Sequence, residues 1–106
     1  MIFIQPWIPQ FKRRMEIYLN DSRGQRSYIT DLLLHSINPD LMIENSDQGP
    51  FVRLDIVYEN HAYEFDFDVI EMDAYAMALG GNHLCTLDLD EDGLHFSGGI
   101  APVYCR

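Results

Sequence analysis

Asp88, Asp90 and Asp92 stand at alternate positions and are followed by Gly93, the order in which a calcium-binding loop offers its first oxygen ligands. That loop also needs a bidentate Glu at its twelfth position. Here the twelfth position is Gly99 and the ninth is Phe96, so an Asp-Gly hairpin turn accounts for the same residues. His83, Cys85, His95 and Cys105 carry the nitrogen and sulfur atoms that zinc takes. Strand alternation, however, turns His83 and Cys85 inward and His95 outward. Cys85 is therefore expected as a small buried hydrophobe and His95 as a surface partner of Asp90. No metal and no cofactor is expected.

Nucleophilic and acid–base chemistry fare no better. Cys85 with His83 or His95 could in principle pair a thiol with a base, but no glycine-rich turn surrounds that cysteine. Asp66 and Asp68 could supply paired carboxylates. Such chemistry needs a cleft and one raised pKa, and an outward hairpin face stays solvated. Gly80-Gly81 is expected to end a helix instead of opening one around a phosphate. The sequence read in this way predicts a protein that is not an enzyme.

The elements that position these residues follow from periodicity. Leu54, Ile56 and Tyr58 alternate with charged neighbours, as do Tyr63, Phe65 and Phe67. A turn at Asn60-His61 makes residues 53–68 a hairpin with Leu54 opposite Phe67 and Asp55 opposite Asp66. A second hairpin over 84–97 turns at Asp92-Gly93 and pairs Leu89 with Phe96. A helix is expected over 27–37, capped by Ser27 and stopped by Asn38-Pro39. Another is expected over 69–79, opened by Asp68-x-x-Glu71 and closed by Gly80-Gly81. Residues 12–19 fit either a strand or a helix, and the turn-like run at 20–24 favours a strand. The expectation is a single α+β domain over 1–106: a small antiparallel sheet of two hairpins with two short helices packed on one face.

The composition adds a charge argument. The 106 residues hold 7 Lys and Arg against 17 Asp and Glu, a net charge of −10. DNA, RNA and anionic membranes are disfavoured as direct partners, because affinity for them rests on Lys and Arg. The start lacks the basic-then-apolar order of an export signal, and two cysteines are too few for a disulfide scaffold, so a cytoplasmic location is expected. The basic residues collect early: Lys12, Arg13, Arg14, Arg23 and Arg26 precede a stretch, 27–105, with Arg53 alone against fifteen acids.

On the expected hairpins Asp55, Glu59, Glu64, Asp66 and Asp68 form one row of carboxylates, and Asp88, Asp90, Glu91 and Asp92 a second patch. Such an array would attract a Lys/Arg-lined groove. The function expected is a non-enzymatic inhibitor that occupies a basic nucleic-acid-processing protein, such as a nuclease or nucleic-acid-binding complex, as a nucleic-acid mimic. Anti-CRISPR and anti-restriction proteins, nuclease immunity proteins and antitoxins are of this kind. Alternatives are a self-associating assembly module and a small metal-dependent enzyme. A monomer or weak homodimer is expected.

Overall fold

The computed structural model describes residues 1–20 and 24–106. Its elements in chain order are β1 (Ile2–Ile4), β2 (Trp7–Ile8), β3 (Arg13–Arg14), β4 (Ile17–Leu19), β5 (Tyr28–Thr30), α1 (Asp31–Ile37), β6 (Glu44–Ser46), β7 (Gly49–Tyr58) and β8 (His61–Ile70). Then come β9 (Met77–Leu79), α2 (Gly81–Leu84), β10 (Asp88–Asp90), β11 (Gly93–Phe96), β12 (Gly99–Ala101) and β13 (Tyr104–Cys105). One curled, mixed sheet runs β13-β1-β4-β9-β5-β8-β7-β2-β3, with β6 paired to β7, and β10-β11-β12 form a second sheet. Half of the residues are strand and 11% are helix, which replaces the expected two-hairpin α+β domain with a mostly-β one.

The best-patterned stretch does form a long hairpin, β7–β8. Its turn is Glu59–Asn60, where both residues take positive φ (48° and 65°) as a two-residue turn of this hand requires. Leu54 therefore faces Phe65 and Ile56 faces Tyr63. Moving the turn by one residue moves each partner by two, so side-chain parity survives. Leu54, Ile56, Tyr58 and Phe67 are all buried, on the expected face. The second expected turn is displaced in the same way: Leu89 faces Leu94, and Asp90 Oδ1 accepts from the Asp92 amide, placing the turn at Glu91–Asp92.

The helices differ more. Thr30, not Ser27, caps α1, its hydroxyl accepting from the Leu33 amide, and Tyr28–Thr30 is strand. The stop at Asn38-Pro39 holds, since α1 ends at Ile37. No helix follows Asp68. Val69 and Ile70 prolong β8, and Met77–Leu79 is the inner strand β9. A strand buried on both faces is a plain apolar run, which periodicity cannot separate from a helix. Met77 and Leu79 are fully buried and share the core with Ile4, Ile17, Ile29, Leu54, Ile56 and Phe67.

Candidate active-site cleft

The position of β9 creates the site. It lies between β4 and β5, parallel to the first (Leu19 beside Leu79) and antiparallel to the second (Ile29 beside Met77). The chain leaving β4 must therefore cross the end of β9 before it can enter β5. The crossing segment reads Asn20-Asp21-Ser22-Arg23-Gly24-Gln25-Arg26-Ser27, and Asp21 is its one acid. The turn expected at 20–24 falls largely on residues 21–23, outside the described ones.

The described ends of this loop are fastened to β9 and α2. The Asn20 amide donates to the Leu79 carbonyl (2.9 Å), and the Asn82 amide to the Gln25 carbonyl (3.2 Å). Gly24 takes φ +84°, a left-handed conformation that favours glycine. Ser27, 1% exposed, accepts the Gly80 amide at its hydroxyl (2.9 Å) and donates its own amide to Asn82 Oδ1 (2.9 Å). Its Oγ also lies 2.6 Å from His83 Nδ1. Gly80-Gly81 thus opens a short helix instead of closing a long one.

A cleft of about 580 Å³ lies against this loop, lined by Gly24, Gln25 and Arg26, by Gly81, Asn82, Leu84 and Cys85 around α2, and by Gln48. Gln48 belongs to the turn joining β6 and β7, so a hairpin tip forms one side of the cleft. A neighbouring hollow of about 310 Å³ shares Arg26 and Gln48 with it and adds Ser46, Asp47, Phe51 and Asp66. The two hollows adjoin through Arg26 and Gln48 and form one groove.

The electrostatics are local pairs. Arg26 donates twice to Asp68 (2.7 and 3.2 Å), and this hydrogen bonding holds its pKa above the ordinary arginine value. Arg53 Nε donates to Asp66 (2.8 Å), its direct cross-strand partner, and lies 3.7 Å from Glu64. Burial keeps His83 below the ordinary histidine value, and the nearby Asp66 and Asp68 only partly offset it. Because the Arg26 side chain is 43% exposed, its pair is solvent-screened. Arg26→Gln is expected to cost about 0.5–1 kcal/mol, read as a small shift in the urea midpoint. A loss several times larger would mean that the pair holds the loop.

The expected acidic plane is corrected by these contacts. Asp66 and Asp68 are neutralised by arginines, and Asp55 is half-buried and accepts from Gln10 Nε2 (3.0 Å). Glu64 is exposed, and Glu59 sits in the β7–β8 turn against Gly99. The other four acids are on a different sheet. Asp88, Glu91 and Asp92 are exposed, while His95 Nε2 lies 2.8 Å from Asp90 Oδ2, a contact that holds the Asp90 carboxyl below its ordinary range. Of the nine, Asp66 alone is part of the groove's described lining. Cys85, expected in the core, is exposed at the end of α2. Among the described residues no three His, Cys, Asp or Glu side chains converge as a metal site would require. No helix among them is long and apolar enough to cross a membrane.

Sequence reasoning read the loop 20–27 as a turn and a helix cap, and Gly80 to His83 as a helix stop beside a rejected zinc ligand, and gave neither a place in a site. The available signal was a glycine pair placed between a short apolar run and the polar Asn82-His83.

No family model matches this sequence, and no curated protein matches it. Among solved structures, the chain is similar to the retroviral protease-like domain of Ddi1 from Leishmania major, with a TM-score of 0.78. The likeness covers 99% of this chain and 92% of that one at 15% sequence identity, and is therefore a likeness of fold. It overturns the reading of an acidic inhibitor or nucleic-acid mimic with an α+β fold, for the chain follows the fold of that domain over 99% of its length. It also conflicts with the expectation that the chain is not an enzyme.

Proposed function

We propose that this chain is one subunit of an aspartic-type peptidase, in which Asp21 supplies one catalytic carboxylate and a second copy supplies the other. The observation that carries this reading is the coincidence of three features in one place. The groove, the hairpin tip beside it and the described ends of a crossover whose sequence holds Asp21 lie together in a fold shared, over almost its full length, with a retroviral protease-like domain.

Aspartic peptidases work with two carboxylates that share a proton. The ionised group takes a proton from water as the water oxygen bonds to the scissile carbonyl carbon. The protonated group donates to the carbonyl oxygen. The tetrahedral carbon then expels the amine, which leaves with a proton from one carboxyl. A hydroxyl on that carbon returns a proton to the other, so the product acid forms and the pair again holds one proton. The crossover has one acid in sequence, and the larger cleft's described lining has none. Of the two acids in the adjoining hollow, Asp66 is tied to Arg53 and Asp47 belongs to the hairpin tip. A single chain thus brings one carboxylate, and pairing requires a second copy.

A mixture of unfolded proteins incubated with the purified chain between pH 4 and 7, with the products read by mass spectrometry, tests this. Cleavage is expected with a bell-shaped pH profile, and with a rate per chain that rises with concentration until dimers saturate. Two copies at −10 each repel one another, so added salt should strengthen dimerisation and activity at a given concentration. An electrostatic inhibitor would show the opposite salt dependence. No cleavage at concentrations where sedimentation shows a dimer would overturn the proposal.

A further inference from the structure

The hydroxyl of Ser27 is shared among three groups. Gly80 donates its amide to Oγ at 2.9 Å, His83 Nδ1 lies 2.6 Å away, and Asn82 Oδ1 lies 3.2 Å away. A hydroxyl carries one proton and accepts twice. With one acceptor position taken by Gly80, two arrangements satisfy every atom. With the imidazole neutral and its proton on Nε2, Oγ–H donates to Nδ1 and Asn82 Oδ1 keeps the Ser27 amide alone. With the imidazole charged, Nδ1–H donates to the second position on Oγ, and Oγ–H turns to Asn82 Oδ1.

We infer that His83 is a positioning residue that latches the crossover loop to α2 through Ser27, in a proton arrangement that holds with the ring neutral or charged. The geometry supports a built contact. Ser27 is buried, the His83 ring meets Phe65 edge-on with centroids 4.8 Å apart, and both loop and helix backbones join the same network through Gly80 and Asn82. The charged groups that face the ring are Asp66 and Asp68 from β8 and Arg26 from the loop itself. Burial opposes the charged ring more than the two carboxylates favour it. The sign follows: the neutral ring stabilises the fold fully above the ordinary histidine value of 6.5, and that contribution declines as pH falls through the lower folded value. A loop whose described end stays fastened through this titration would keep that end of the crossover fixed in the range where paired carboxylates work. That last consequence rests on the peptidase reading; the latch itself does not.

Nitrogen-15 NMR of the full chain between pH 4 and 8, with amide exchange, separates the two. At pH 8 Nδ1 is expected to lack a proton and Nε2 to carry it. The Gly80 and Ser27 amides are expected to stay protected on both sides of the ring's titration. In His83→Phe, which keeps a ring but no acceptor, the protection of these amides should fall about tenfold. In His83→Asn, whose amide can reach the position of Nδ1, it should return to within about threefold of the parent, with the pH-dependent step in stability gone. A proton on Nδ1 at pH 8, loss of protection as the ring charges, or equal protection in the parent and His83→Phe would each overturn the latch. None of these outcomes depends on whether the chain cleaves peptides.

Discussion

Asp21→Asn is expected to lower peptide cleavage by roughly 10²–10⁴-fold while leaving the chain folded and able to dimerise. An asparagine has nearly the shape of the aspartate but neither takes nor releases a proton near neutral pH. With both copies altered the pair has no proton to share, so the loss should appear in kcat, with KM little changed. Mixing parent and variant chains sharpens the test. A mixed dimer holds one carboxylate, so the parent's activity should fall as variant is added, in proportion to the dimers converted. If Asp21→Asn cleaves as fast as the parent, the carboxylate lies elsewhere and the assignment is wrong. Asp66→Asn serves as the comparison. Asp66 borders the groove but is tied to Arg53, so its replacement should change activity by a few-fold at most.

The second large effect is on stability. Gly80→Ala should destabilise the fold by about 3 kcal/mol, a fall of roughly 10–20 °C in Tm. The backbone at Gly80 is extended (φ −94°, ψ 176°) and would suit any residue. The cost is steric: an added Cβ would sit 2.5 Å from the Arg26 carbonyl carbon, 2.6 Å from the Gln25 oxygen and 2.8 Å from the Arg26 oxygen. All three are backbone atoms of the crossover, so no side chain can turn aside. Gly24→Ala is the informative contrast. A Cβ there meets nothing within 4 Å, and its φ of +84° leaves conformational strain of about 1–2 kcal/mol. If both variants melted at the same temperature as the parent, the loop would not be pressed onto the end of β9, and the cleft would lose its floor.

The two glycines also illustrate why the site was hard to read from the chain. Gly80-Gly81 after Met77-Ala78-Leu79 resembles a helix stop, because an apolar triplet has no period to distinguish a buried strand from a helical turn. In the structure the triplet is an inner strand of the sheet, and Gly80 permits close backbone approach. Asp21 gave no local signal of its own: Asn20 to Gly24 is a plausible turn wherever it occurs. The role proposed for it rests on β9 lying between β4 and β5, pairings that join Leu19 to Leu79 and Ile29 to Met77 across 60 and 48 residues of chain. The acids of β7 and β8 misled for a related reason. Counting them as a free row ignored Arg26, which reaches Asp68 from another element, and a turn read one residue late placed Asp66 opposite an acid instead of opposite Arg53.

What the chain's own residues determined was local. Alternation over residues 53–68 set which side chains of β7 and β8 face the core, and Asn38-Pro39 set where α1 ends. A period of two survives a misplaced turn, and proline ends a helix whatever surrounds it. Which strands became neighbours was decided only on folding, when Met77–Leu79 entered between β4 and β5 and drew a loop, a hairpin tip and a short helix around one cleft. Backbone hydrogen bonds look alike at every residue, so partner choice emerges from the best burial of the whole chain and not from any one segment's pattern.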